Sequence, residues 1–80
     1  MNLISAVEGL GLPRGIESSL VKKLENAQQN LDKGNTNAAC NELGAFINAV
    51  EAQSGKKIDA ADAADLIADA EAIRDAEGCE

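Results

Sequence analysis

Histidine, tryptophan and tyrosine are absent from this chain, and phenylalanine occurs once, at Phe46. Without histidine there is no imidazole to activate a nucleophile and no Cys–His ligand set for zinc. A single Phe on an apolar face offers no stacking platform for bases or sugars. Basic residues are scarce as well. Seven Lys and Arg stand against 14 Asp and Glu, a net charge of −7. Only Lys22-Lys23 and Lys56-Lys57 are adjacent, so the clustered cations that bind phosphate are missing and nucleic acid is excluded as a partner. The same charge opposes an anionic membrane surface. No apolar run approaches the roughly 18 residues of a membrane span, so no membrane insertion is expected. The opening MNLISAVEGLGLPRG has no basic n-region, and Ser5, Glu8 and Gly9 interrupt its apolar residues. It is not a signal peptide.

What is present is helical periodicity with its punctuation. Ile16, Leu20, Leu24, Ala27 and Leu31 recur every three or four residues, one face of an α-helix. Gly34 stops that helix and Asn35-Thr36 can cap the next, where Leu43, Ile47 and Val50 begin a second apolar face. Ser54-Gly55 ends it. Asp59 opens a further helix, with Ile58 placed to staple onto Ala63 and Asp62 giving a weak capping box. Leu66, Ile67, Ala70 and Ile73 form its inner face. Before Gly11-Leu12-Pro13, which marks a break, Asn2 or Ser5 can open a short helix carrying Leu3, Ile4, Val7 and Leu10. Those apolar positions predict a lid packed across the bundle.

The expected fold is therefore all-α: a compact bundle of three main helices plus a short N-terminal helix, one domain over residues 1–80. The main helices should cover Arg14–Lys33, Thr36–Gln53 and Asp59–Glu77. Ile16, Leu20, Leu24, Leu31, Leu43, Phe46, Ile47, Val50, Leu66, Ile67 and Ile73 are the predicted core. Glu17 in the first turn and Lys33 in the last complement the dipole of the longest helix. Gly44, mid-helix, costs about 1 kcal/mol relative to Ala, and its compensation is read as a close helix crossing. The core material is mostly Ala, Leu, Ile and Val. At roughly 25 cal/mol per Å² of apolar surface, small side chains bury little, so a bundle of this size should be only modestly stable without a staple.

Cys40 and Cys79 are the two cysteines. Neither lies in a CxxC, and their wide spacing lacks the nearby resolving thiol of a redox centre. If the last two helices form an antiparallel hairpin about Gly55, Cys40 and Cys79 fall within about two turns of each other along the axis. A disulfide would close a loop of roughly 40 residues, worth about 4 kcal/mol in the chain-entropy model. The alternative is two reduced thiols, one buried and one in a frayed tail. Pairing of Cys40 with Cys79 is the expectation adopted, and it favours an oxidising, extracellular or cell-surface location.

Sites with chemistry are not found. Asp62, Asp65 and Asp69 fall on one outward helix face, and a straight face cannot wrap a calcium ion in six to eight oxygens. An EF-hand counted from Asp32 puts Gly34 at the third position, Asn37 at the invariant glycine and Leu43 at the bidentate glutamate. Helix stop and N-cap explain that turn without metal. Cys40 or Ser18 would need a Lys or carboxylate partner, and no local motif provides one. No catalytic, cofactor-binding or metal residues are assigned, and the chain is read as no enzyme and without cofactors. Its acidity reads as solubility. The remaining surface signal is a run of uncharged amides: Asn26, Gln28, Gln29, Asn30, Asn35, Asn37, Asn41 and Asn48.

The run GLPRGIESSLVKKLENAQQNLDKGNTNAACNELGAFINAVEAQSGKKI resembles the FIMAH domain, a small helical module of secreted bacterial and archaeal proteins. LPRGI, KLENA, the KGNTNAA turn and LGAFINAVEAQSGKKI carry the likeness, and ADLIADAEAI fits the last helix; together they span roughly Gly9 to Ile73. The resemblance implies an accessory module of multidomain extracellular proteins, hydrolases included, and transfers no catalytic or ligand residues. The cysteine pair is not part of that pattern. With no signal peptide, the module is read as excised from a longer secreted chain, with Met1 an added start residue. Two functions are carried forward. One is a non-catalytic interaction or structural module of a secreted or cell-surface protein, whose partners are other domains of the parent chain or a protein. The other is a carbohydrate- or cell-wall-binding module using the amide-rich faces against polysaccharide.

Overall fold

The computed structural model describes residues 2–79, with side chains from Leu3 onward; the reading of Met1 falls outside them. Four helices follow one another: α1 (Asn2–Glu8), α2 (Arg14–Asp32), α3 (Thr36–Gln53) and α4 (Ala60–Ala76). No strand occurs among the described residues; a single parallel bridge joins Ser54 and Ile58 in the turn before α4. The three main helices stand where the apolar period placed them. Their ends move by a residue: α2 stops at Asp32 with Lys33 as its C-cap, and α4 begins after Asp59 and ends before Glu77. α1 starts at Asn2, not at Ser5.

The helix ends show why these boundaries hold. Gly34 takes φ +78, the left-handed conformation that only glycine adopts at little cost. The Asn35 N–H then donates to the Asn30 carbonyl (2.7 Å) and the Gly34 N–H to Leu31 (3.0 Å), the two reversed bonds of a Schellman stop. Asn35 also begins α3, because its side-chain oxygen accepts the Ala38 N–H at 3.4 Å. One residue thus closes α2 and opens α3. At α4 the Asp59 carboxylate accepts the Ala61 N–H at 2.9 Å. Ile58 and Ala63, the proposed staple, are both fully buried in the same apolar cluster.

α3 is the centre of the bundle. It packs most extensively on α2 and less on α4, while α1 touches α2 and α4. Among the described residues no Cα of α2 lies within 8 Å of one in α4, and α1 packs against both. The core holds Leu20, Leu24, Ala27, Leu43, Phe46, Ile47 and Val50 from α2 and α3, with Ala63, Leu66 and Ala70 from α4. Leu3 and Val7 complete it from α1, as a lid should.

Three readings need correction. Ile16, Leu31, Ile67 and Ile73 are only half-buried, because they sit at the edges of each apolar stripe or near helix ends. Ile58, fully buried, belongs in the core despite lying in a turn. Gly44 is not a close crossing point: a Cβ built there meets nothing within 4 Å. The missing side chain faces open space, so its cost in helix propensity is uncompensated.

Candidate functional site

The structure joins Cys40 and Cys79, with Cα atoms 5.7 Å apart. Two local rules bring them together. Cys40 lies one turn into α3, whose start is set by Asn35. Cys79 is the second residue past the C-cap of α4, and Gly78 at φ +77 reverses the chain before it. The Cys79 N–H donates to the Arg74 carbonyl (2.8 Å) and the Gly78 N–H to Asp75 (3.2 Å). This is the same Schellman arrangement that ends α2. Here its outermost residue carries a sulfur, and the reversal turns that sulfur back to the start of α3.

A cleft of about 290 Å³ opens at this corner, lined by Thr36, Asn37, Cys40, Asn41, Arg74, Gly78 and Cys79. A second, behind Cys79, is lined by Glu71, Arg74, Asp75 and Cys79. The corner therefore offers the amides of Asn37 and Asn41, a guanidinium and two exposed carboxylates around a disulfide. Both cysteines are in the bond and no thiol is free among the described residues. This surface can exchange hydrogen bonds with a polar partner. Arg74 was not singled out from the sequence. Its spacing, five residues before Cys79, is the signal that could have found it, since a glycine stop at Gly78 folds Cys79 back onto that turn.

The amide-rich residues do not form one face. Asn30 donates its side-chain N–H to the Asn26 carbonyl at 2.9 Å, and Asn35 is occupied as a cap. Gln28 and Gln29 line a shallow cleft with Ile4, Glu25 and Asp32, whereas Asn37 and Asn41 lie at the disulfide corner. The acidic stripe points outward as expected, with Asp65 and Asp69 exposed and Asp62 half-buried. Asp32 ends α2, Asn35 caps α3 and Asn37 lies inside α3, so the turn is used up in helix punctuation. Among the described residues no group of three or more His, Cys, Asp or Glu is arranged to hold a metal ion. Among the described residues no helix is long and apolar enough to cross a membrane.

A third cleft, about 320 Å³ and mainly apolar, runs between the start of α2 and the end of α3. Gly15, Ile16, Ser19, Leu20, Ala49, Ala52 and Gln53 line it.

The FIMAH domain family model matches residues 12–75, most of the chain. A stapled three-helix unit with a lid is thus a member of the FIMAH domain family, a class of accessory modules of larger proteins that is not a catalytic one. The match takes in α2, α3 and all but the last residue of α4; α1 and Cys79 lie outside it. No curated protein and no solved structure matches the chain.

Proposed function

We propose that this chain is a non-catalytic interaction or structural module displayed outside the cell, as part of a secreted or cell-surface multidomain protein. The observation that carries this reading is the Cys40–Cys79 bond closing a family fold that does not itself include Cys79. Disulfides persist where glutathione and thioredoxin do not reduce them, in secreted and surface-exposed proteins. A small bundle gains most from such a bond there. Its partners are other domains of the parent chain or a protein docked on its helices. The test has two arms. Intact mass before and after thiol labelling, on protein taken from its native host without reductant, should find no free thiol. Crosslinking of the full-length parent protein should then join this module to a neighbouring domain or a protein partner. Two labelled thiols in that material would remove the argument for an extracellular location.

A second reading, binding of carbohydrate or cell-wall polymer, is favoured by the Asn37, Asn41 and Arg74 side chains around the corner cleft. The amides both donate to and accept from sugar hydroxyls, and the guanidinium donates to them. Retention on insoluble polysaccharide, lost on Asn41→Ala with Arg74→Ala, would support it over the first; no retention on any polymer would eliminate it.

A further inference from the structure

The Cys40–Cys79 bond ties the end of α4, and it can be reached from solvent. Both cysteines are half-buried, and the corner cleft touches the two of them together. The second cleft, about 300 Å³, touches Cys79 without Cys40. In thiol–disulfide exchange a thiolate approaches one sulfur in line with the bond, from the side away from the other sulfur. The cleft behind Cys79 gives that line of approach. Arg74 lines both clefts, so a cation stands beside the sulfur that leaves, and a nearby guanidinium favours a thiolate.

The segment that the bond restrains is otherwise lightly held. Beyond Leu66, the one fully buried side chain of α4 is Ala70, with Ile67 and Ile73 half-buried beside it. Asp69, Glu71, Asp75 and Glu77 stand there against one cation, Arg74. Glu71 and Asp75 are like charges four residues apart, and Asp75 and Glu77 lie at the negative end of the helix dipole. We propose that Cys40–Cys79 is a redox latch, opened by a dithiol reductant that attacks Cys79 through the cleft behind it and so frees the second half of α4. The donor's first thiolate bonds to Cys79 Sγ, and the electron pair of the broken S–S bond leaves with Cys40 as a thiolate. The chain has two cysteines and no third, so the mixed disulfide has two fates. Cys40 attacks Cys79 again and restores the bond, or the donor's second thiolate attacks the donor's own bonded sulfur and releases Cys79. A monothiol is therefore mostly expelled. A dithiol completes the step: two electrons and two protons pass to the protein, and the donor becomes a disulfide. The latch is independent of where the module is displayed.

The test treats the oxidised chain, without denaturant, with dithiothreitol or 2-mercaptoethanol at equal thiolate concentration, and quenches with iodoacetamide. Dithiothreitol should leave both cysteines alkylated. With 2-mercaptoethanol most of the bond should survive, and the trapped mixed disulfide should sit on Cys79 with Cys40 alkylated, as peptide mass mapping reads. Limited trypsinolysis then measures the release. Arg74 is the only basic residue of α4. Cleavage after it should become on the order of tenfold faster on reduction, as for a segment that opens locally, while cleavage at Lys22 and Lys23 in α2 keeps its rate. A mixed disulfide on Cys40, reduction that requires denaturant, or equal acceleration at Lys22, Lys23 and Arg74 would each overturn the latch. None of these outcomes bears on the extracellular reading, which the thiol labelling of native-host material tests separately.

Discussion

α2 and α4 flank the same central helix but are held to it by different means. α2 brings Leu20, Leu24 and Ala27 against Leu43, Phe46, Ile47 and Val50 of α3, and the Gly34–Asn35 turn joins the pair through shared backbone bonds. α4 brings Ala63, Leu66 and Ala70, of which only Leu66 is large, with Ile67 and Ile73 half-buried beside them. Its attachment lies at its ends. Ile58, fully buried, anchors the start, and the Cys40–Cys79 bond fixes the finish. Side-chain area holds one pair; a covalent link substitutes for it in the other. The difference teaches that a bundle poor in aromatic residues can carry an alanine- and aspartate-rich helix, provided that its far end is tied.

Breaking the tie should have the largest effect. Replacing Cys40 and Cys79 together by Ser should reduce the free energy of unfolding by about 4 kcal/mol, from the entropy of a loop with a sequence separation of 39. For a domain of this size that lowers the thermal midpoint on the order of 15–30 °C, to be read by circular dichroism. Next comes a contrast between the two regions. Leu24→Ala, at a site with no exposure, should cost about 3 kcal/mol whether or not the disulfide is present. Leu66→Ala should cost about 2 kcal/mol in the stapled protein and much less in the double-Ser variant, where α4 is already loosened. Denaturant titrations of the six proteins, each leucine variant and its parent with and without the disulfide, give this coupling directly.

A smaller and opposite effect is expected at Gly44. With nothing within 4 Å of an added Cβ, Gly44→Ala should stabilise the protein by about 1 kcal/mol, visible as a higher denaturant midpoint at unchanged slope. If it destabilises, α3 is more tightly packed at that point than described. Chelator should have no effect at all. A cation binding only the native state at 100 times its dissociation constant would add about 2.7 kcal/mol, a shift that thermal unfolding cannot miss. A midpoint lowered by chelator and restored by calcium would direct attention to Asp32 and the Asn35–Asn37 turn.

The same contrast governs what could be read in the sequence. The α2–α3 pair was legible, because large aliphatic residues at helical spacing and a Gly-Asn stop leave one arrangement. The disulfide was legible too, from helix lengths and the antiparallel turn at Gly55. Less readable were features that depend on how much space the fold leaves. Gly44 and a tightly crossed glycine look alike in sequence, and only the absence of a neighbour tells them apart. Ile58 sits in a turn, outside any periodic stretch, so its full burial had no period to announce it. The amides fail for a geometric reason. At 100° per residue, Gln28, Gln29 and Asn30 point in three directions, and one is spent on its own helix. Arg74 entered the corner cleft through the chain reversal at Gly78, a contact made by a turn and not by a stripe.

Native-state hydrogen exchange, on the stapled protein and the double-Ser variant, tests the central claim most directly. With the disulfide intact, the α4 amides and those of α2 and α3 should open together at the global free energy of unfolding. Without it, amides in the second half of α4 should exchange through a smaller opening, nearly independent of denaturant, while the α2 and α3 cores still require global unfolding. Equal loss of protection in all three helices would contradict the account, for it would mean that side-chain packing, and not the Cys40–Cys79 bond, holds α4 to the bundle.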